Sequence, residues 1–368
     1  MPADMQKRRA GELLNAIFEA NAQLDRPLNL MEVCGTHTVA IAQNGLRELL
    51  PPNIRLLSGP GCPVCVTDGE DIDTLIELAK MEPVILATFG DLMRVPGAAG
   101  SLQQAKAEGA EVRVVYSTLD ALALAESEPQ RQVVFAGIGF ETTAPTVAVS
   151  IEQAAARGLK NYSVWSLHKT VPPALRALLD DPEVRIDGFI NPGHVCTVLG
   201  PEPFEFVARD YGKPCVIAGF EANDILEAVW MIIGQHLRQD WRVEIQYRRA
   251  VRPAGNPAAR EYIGRFFSPA DTSWRGLGVI PGSGLEIARS FREWNARERF
   301  AVSPRPGAGK GAGRAPCLCG AILKGLKSPH DCPSFGKECT PLQPVGPCMV
   351  SLEGACSAYY RFQPARAK

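Results

Sequence analysis

The 368-residue sequence lacks two things: an excess of one charge and a long apolar run. Its 39 basic side chains balance 40 acidic ones, for a formal net charge of -1. A chain with so little net charge has no field to gather nucleic acid or an anionic membrane, so we expect function to reside in local sites. No run reaches the 18 or so apolar residues of a membrane span, and the first residues, MPADMQKRRAGELL, lack the apolar core of an export signal. We therefore expect a cytoplasmic protein with reduced thiols.

Nucleotide fingerprints and a second CxxC pair are also missing. The segment GAGKGAG around Lys310 lacks the spacing and the Ser or Thr of a phosphate loop, and GIGFET has Thr142 where GxGxxG has its third glycine. No motif therefore supports nucleotide hydrolysis. The missing second CxxC disfavours a zinc site built from two short cysteine pairs.

Predicted strands and helices alternate from residue 28 to residue 238, a pattern typical of parallel sheets covered by helices. The chain is also too long for one ordinary core. We predict two Rossmann-like α/β domains, residues 28–128 and 129–238, that face a cleft. The third predicted unit is a mixed α+β domain that joins residues 1–27, including an amphipathic helix from Asp4 to Ala22, to residues 239–368. Its Gly-, Pro- and Ala-rich tract, Ser303 to Ala315, is predicted to be a flexible lead.

Six of the eleven cysteines are concentrated near the carboxyl end. Four of them fit one spacing, Cys317-x14-Cys332-x6-Cys339-x16-Cys356, and each is set in a turn-forming context of Gly, Pro or Ser. Thiolates select iron–sulfur clusters or zinc, and glycine-rich loops aim backbone amides at the sulfurs. A structural zinc site and a disulfide framework remain alternatives, although disulfides belong mainly to small secreted domains.

Two further cysteine motifs follow predicted strands, where open α/β sheets bind ligands. Cys34 begins CGTH, and a helix that opens nearby is expected to lower the pKa of its thiol. Cys34 and His37 together would form a metal ligand set; alternatively, Cys34 is a small buried residue and His37 helps to start the helix. Cys62 and Cys65 form a CxxC pair suited to redox exchange, or else half of a zinc site.

The predicted second domain repeats this placement of polar motifs. GIGFETTAPT, the pair His168 and Lys169, and NPGH each follow a strand. We expect Glu141 to contact a ligand and one of the following threonines to cap a helix, whereas His194 is ambiguous. Cys196 and Cys215 are expected to be packing residues.

The cysteine-rich segment, from PCLCGAILKG through PHDCPSFGKECTPLQPVGPCMVSLEGACSAYY, resembles the carboxy-terminal region of the HypD family of hydrogenase maturation proteins. The likeness continues upstream through CGTH, GPGCPVC, GFETTAPT and NPGHV, in the same order. One departure is Glu221-Ala222-Asn223, where a Glu-Pro pair is more usual, and it affects no thiol.

The resemblance implies roles for these cysteines. Four would hold a [4Fe-4S] cluster, which makes the third unit an iron–sulfur domain, and two would lie beside it as a dithiol or disulfide. Cys34, with the amino-terminal cysteine of a small HypC-type chaperone, would hold an iron ion while cyanide and carbon monoxide are added. The cluster ligands are Cys317, Cys332, Cys339 and Cys356, and the neighbouring pair is Cys319 and Cys348.

The implied function is a metallochaperone-like scaffold on which the Fe(CN)2CO group of [NiFe] hydrogenase is assembled, an enzyme only in a loose sense. Other implied partners are a HypE-type enzyme that delivers cyanide and the hydrogenase large-subunit precursor. Two alternatives remain: a stand-alone iron–sulfur disulfide reductase that uses Cys319 and Cys348, and a zinc-stabilised binding module.

Overall fold

The computed structural model describes residues 3–303 and 317–363. Apart from Ser303, the tract predicted to be a flexible lead lies outside these residues. The helix bounds are Ala3–Asn21, Gly35–Gln43, Leu46–Leu49, Pro63–Val66, Gly69–Ala79, Leu102–Ala107, Thr118–Ser127, Ala144–Ala156, Val171–Asp180, Gly193–Leu199, Glu205–Tyr211, Ala222–Arg238, Pro257–Phe266, Ala296–Arg299, Cys319–Leu323, Pro347–Val350 and Ala355–Phe362. Short 3₁₀ helices span Gly90–Arg94, Glu202–Phe204, Arg289–Trp294 and Pro329–Asp331. None of the described helices has both the length and the apolar character needed to span a bilayer.

The strands form two parallel sheets and one antiparallel hairpin, so the predicted parallel α/β architecture is confirmed. The five-stranded sheet has the order β2-β1-β7-β8-β9, the four-stranded sheet β4-β3-β5-β6, and the hairpin joins β10 to β11. The strands are β1 Leu28–Glu32, β2 Ile54–Ser58, β3 Val84–Thr88, β4 Val112–Val114, β5 Gln132–Gly139, β6 Tyr162–His168, β7 Gly188–Pro192, β8 Cys215–Ala218, β9 Val243–Ile245, β10 Phe267–Trp274 and β11 Gly278–Ile287.

The strand order corrects the expectation that residues 28–128 and 129–238 each build their own sheet. Each range contributes strands to both sheets: β1 and β2 pair with β7 and β8, whereas β3 and β4 join β5 and β6. The key pairing is between β1 and β7, where Leu30 lies opposite Gly188. Both strands are buried and apolar, so hydrophobic pattern alone does not show which sheet they enter.

The amino-terminal helix packs on a later segment, as expected, but that segment is the helix Ala222–Arg238. Leu13 and Ile17 are buried in one apolar cluster with residues of the five-stranded sheet and of this helix. Arg9 also lies 3.5 Å from the Glu227 carboxylate. The helix therefore covers the five-stranded sheet, which differs from the expected grouping with the cysteine-rich carboxyl end.

The apolar pattern from Val39 to Leu50, stopped by Pro51 and Pro52, predicts one helix, and this helix is divided in the structure. It becomes Gly35–Gln43 and Leu46–Leu49, separated at Gly45, whose φ of 60° is left-handed. Glycine adopts this conformation without the steric cost of a Cβ atom. The early start at Gly35 places Cys34 at the amino-terminal cap of the first piece.

Candidate functional site

The carboxyl ends of both parallel sheets face one cleft of about 350 Å³. Cys34 and His194 reach it from the five-stranded sheet, and Phe89 and Thr142 reach it from the four-stranded sheet. Glu353, from the cysteine-rich carboxyl end, completes the wall. The shared cleft expected from the strand-end motifs is therefore present, although segments distant in sequence build it.

Cys34 lies at the cleft with only 9% of its surface exposed. The buried carboxylate of Glu32 accepts the Cys34 backbone N–H at 3.2 Å and the Thr38 hydroxyl at 2.6 Å, which fixes the start of the helix. Burial raises the pKa of the Cys34 thiol to about 12, and the backbone amides of the helix start oppose this only in part. The expected lowering of this pKa is therefore wrong, and the free thiol keeps its proton.

His37 does not share the cleft with Cys34. Its ring is fully buried, donates from Nε2 to the Gly219 carbonyl oxygen at 2.8 Å, and stacks on Phe220 at 4.8 Å between centroids. Burial lowers the pKa of His37 to about 4, so the ring is neutral. The imidazole at the cleft is that of His194, which stacks on the same Phe220 at 3.9 Å. The sequence signal that could have placed His194 at the cleft is its position directly after β7, in the motif NPGH.

The CxxC loop is in direct backbone contact with Cys34. Gly35 donates to the Gly61 carbonyl oxygen at 3.0 Å, and a Cβ atom on Gly61 would overlap the backbone of Cys34. Cys62 caps the helix Pro63–Val66 by accepting the Cys65 backbone N–H at 3.3 Å on its sulfur. The glycine before the CxxC pair is thus required because the two motifs touch there.

Behind the cleft, Cys65 lies near two other buried thiols, which belong to the cysteine-rich carboxyl end of the chain. Cys65 Sγ lies 4.0 Å from the carbonyl oxygen of Pro347, the residue before Cys348, and the Cys348 side chain is close enough to affect the pKa of Cys65. Cys348 Sγ lies 2.7 Å from Cys319 Sγ. Burial raises the pKa of Cys65 well above its usual value, although the hydrogen bond from Cys348 opposes this. We call Cys62 and Cys65 the CxxC pair, and Cys319 and Cys348 the buried pair.

The remaining four cysteines of the carboxyl end are called here the four-cysteine set, and one of them, Cys356, has the other three as neighbours. Burial raises the pKa of the Cys356 thiol, and the neighbouring thiols of the other three members raise it further. The Val345 backbone N–H donates to Cys339 Sγ at 3.4 Å, and a Cβ atom on Gly346 would overlap Cys317 Sγ. Within residues 3–303 and 317–363, no three His, Cys, Asp or Glu side chains are grouped as ligands of one ion. The set comprises Cys317, Cys332, Cys339 and Cys356.

These four thiols have the donor chemistry of an iron–sulfur cluster, although no three of them are gathered around one point in the described residues. They are free sulfurs, one receives a backbone amide, and a glycine leaves room beside another. Amide-to-sulfur hydrogen bonds and tight glycine turns are usual around such clusters.

Other strand-end residues have different positions from those expected. Glu141 is buried and accepts the Val171 backbone N–H at 2.8 Å, so it caps the helix Val171–Asp180. Burial also raises the pKa of Glu141 to about 7. The Thr143 hydroxyl donates to the Phe140 carbonyl oxygen, and it makes no cap bond at the helix that it precedes. Lys169 is buried and donates to the Ser273 carbonyl oxygen at 2.7 Å, away from the cleft.

Two cysteines lie outside these groups, and their burial fits the packing role expected for them. Cys196 and Cys215 have no exposed surface and belong to the largest apolar cluster.

Comparison with known proteins gives a consistent result along nearly the whole chain. Residues 8–363 match the HypD family, described as "Hydrogenase formation hypA family". The sequence is 47% identical over 367 residues to the hydrogenase maturation factor HypD of Rhodobacter capsulatus, covering 99% of this chain and 97% of the relative.

Two further relatives agree. The hydrogenase maturation factor HypD of Escherichia coli is 47% identical, with 92% of this chain and 90% of the relative covered. That of Azotobacter vinelandii is 48% identical, with 95% and 93% covered. The chain therefore belongs to the HypD family of hydrogenase maturation factors.

Proposed function

We propose that this chain is a cytoplasmic scaffold on which the Fe(CN)2CO group of [NiFe] hydrogenase is assembled, with Cys34 as the chain's own ligand to the iron. The observation that carries the proposal is the meeting of Cys34, the CxxC loop and Glu353 at one cleft. The iron is the substrate. A thiolate suits low-spin iron beside strong-field ligands, and metal binding would displace the proton that burial retains on Cys34.

The four-cysteine set would hold a [4Fe-4S] cluster, which supplies single electrons when bound. The buried pair lies next to this set, since Cys319 is two residues from Cys317 and its thiol raises the pKa of the Cys317 thiol. This neighbourhood supports a redox use of the buried pair.

The buried pair and the CxxC pair would exchange electrons by a balanced thiol–disulfide reaction. The Cys348 thiolate attacks Cys65 Sγ in the Cys62–Cys65 disulfide, and Cys62 leaves and takes up a proton. The Cys319 thiolate then attacks Cys348, which closes the Cys319–Cys348 disulfide and releases Cys65, which is protonated in turn. Two electrons and two protons reach the CxxC pair, whose loop contacts Cys34 through Gly61.

The proposed partners occupy the open side of the cleft. A small HypC-type chaperone would offer its amino-terminal cysteine as the second iron ligand, and a HypE-type enzyme would deliver cyanide. The hydrogenase large-subunit precursor would receive the finished group. The resemblance of the motifs supports these partners, and the names of the relatives support the link to hydrogenase maturation.

The disulfide reductase alternative is less well supported by the burial of the thiols. A protein disulfide must reach the attacking sulfur, yet Cys319 and Cys348 are 3% and 1% exposed. The CxxC pair is equally buried. Small ligands on an iron ion bound in the cleft would be a more accessible electron acceptor than a disulfide of another protein.

The test replaces Cys34 with Ala and records infrared spectra of the anaerobic complex with the small chaperone. The cyanide and carbon monoxide bands should disappear, while iron bound by the four-cysteine set remains, because Cys34 is not among its members. The matched control is Cys215→Ala, which removes a buried thiol that does not line the cleft and should retain the bands. Bands of normal intensity in Cys34→Ala would place the iron on another ligand and refute the assignment.

A further inference from the structure

The turn of the hairpin lies between the two thiol pairs. Trp274, at the end of β10, forms an antiparallel bridge with Thr67, and the Arg275 backbone N–H donates to the Val66 carbonyl oxygen at 2.9 Å. Both contacts are made to the end of the helix Pro63–Val66, which carries the CxxC pair. The turn is thus attached directly to that helix.

The Arg275 side chain reinforces this attachment. Its Nε donates to the Thr67 carbonyl oxygen at 2.8 Å, and its Nη2 donates to the Pro96 carbonyl oxygen at 3.1 Å. Pro96 belongs to the loop after the 3₁₀ helix Gly90–Arg94, part of which lines the cleft. A planar guanidinium can hold two such carbonyls at once, whereas an ammonium group offers a single point charge.

The next residue of the turn contacts the buried pair. Gly276 has a left-handed φ of 81°, and its backbone lies against that of Gly320, the residue after Cys319. A Cβ atom on Gly276 would overlap Gly320 Cα, and one on Gly320 would lie 2.8 Å from Gly276 Cα. Two successive residues, Arg275 and Gly276, thus contact the CxxC helix and the segment of the buried pair.

We propose that Arg275 is a positioning residue for thiol exchange: by holding Thr67 and Pro96 on the hairpin turn, it keeps Cys65 at reacting distance from Cys348. This inference rests on the proposed function, because it concerns the same thiol exchange. Such exchange needs an attacking sulfur in line with the target, and small displacements of reacting groups cost large factors in rate.

The test isolates the two reacting sulfurs in the full-length chain. In a Cys62→Ser, Cys319→Ser background, Cys65 and Cys348 each lose their usual partner, so mild oxidation with oxidised glutathione should link them to each other. Peptide mass mapping gives the rate at which this Cys65–Cys348 disulfide forms. Adding Arg275→Gln should slow the reaction about tenfold or more. Arg275→Lys should slow it less, because one of the two carbonyl contacts can be kept.

The controls separate positioning from loss of fold. Arg248→Gln removes an exposed arginine that also donates to a backbone carbonyl, that of Ile245, and it should leave the rate unchanged. Alkylation of unfolded samples counts the available thiols, and the thermal midpoint of each variant reports its fold. If Arg275→Gln lowers that midpoint, the better-folded Arg275→Lys variant decides the question.

Two outcomes would overturn the inference in distinguishable ways. Normal disulfide formation in the background with slowing in neither Arg275 variant would remove the role of Arg275 and leave the exchange intact. Failure of the background itself to form the Cys65–Cys348 disulfide would refute the proposed exchange between the two thiol pairs, and the role of Arg275 with it.

Discussion

Replacing Gly61 with Ala should destabilise the protein and separate Cys34 from the CxxC loop. The added methyl group would overlap the backbone of Val33 and Cys34, which cannot rotate away as a side chain can. Overpacking of a close-packed interior typically costs about 1–3 kcal/mol, and contact with backbone favours the upper end, about 3 kcal/mol. At about 2–4 °C per kcal/mol for larger domains, the thermal midpoint should fall by about 6–12 °C.

The assay is thermal unfolding of the reduced protein under anaerobic conditions, together with the alkylation rate of Cys34 in the folded state. That rate should rise in Gly61→Ala, because the loop that covers Cys34 is displaced. Gly264→Ala is the matched control: Gly264 lies within the helix Pro257–Phe266 and has open space where its Cβ atom would be. It should gain about 0.5–1 kcal/mol from helix propensity. A Gly61→Ala protein with the parental midpoint and the parental Cys34 reactivity would refute the contact.

Three other predictions follow from the thiols and from one buried carboxyl group. Replacing any member of the four-cysteine set with Ala should lower iron content, whereas Cys319→Ala should retain it; the reverse result would reassign the ligands. The CxxC pair should take up two alkyl groups after reduction and none after oxidation, as measured by mass spectrometry, and a pair unresponsive to oxidant would contradict its redox role. Burial raises the pKa of Glu141 from 4.5 to about 7, so its contribution to stability is complete below pH 4.5 and is lost as pH rises through about 7. Glu141→Gln should therefore reduce the decline in urea midpoint over this range, and an undiminished decline would exclude Glu141 as its source.

The sequence predicts most of the strands and helices between residues 28 and 238, because these have a local apolar pattern and clear stop signals, but it does not predict the hairpin of β10 and β11. It also predicts that strand-end motifs such as CGTH and NPGH share a cleft, because parallel strands place their carboxyl ends at one edge. It does not show that β1 pairs with β7. That choice depends on contacts between buried strands more than 150 residues apart, and such strands share similar apolar composition.

The sequence also does not show the protonation states and ring directions of the residues at and near the cleft. A cysteine at a helix start favours a lowered pKa, but burial outweighs the helix amides at Cys34. The motif CGTH likewise places a histidine three residues from the thiol, yet the ring of His37 turns to Gly219, and His194 reaches the cleft. Desolvation and ring direction are set by the tertiary fold, so spacing alone cannot give them.

The interleaved strand order also sets the sequence of events during synthesis. The four-stranded sheet uses only residues 84–168, so it can close while later segments are still being translated. The five-stranded sheet must wait for β7, β8 and β9, and the wall of the cleft waits for Glu353. Long-range pairing of this kind is intrinsically slow. The nascent chain therefore carries Cys34 without a finished cleft until residue 353 has been made, and the cleft reaches its native geometry only after that.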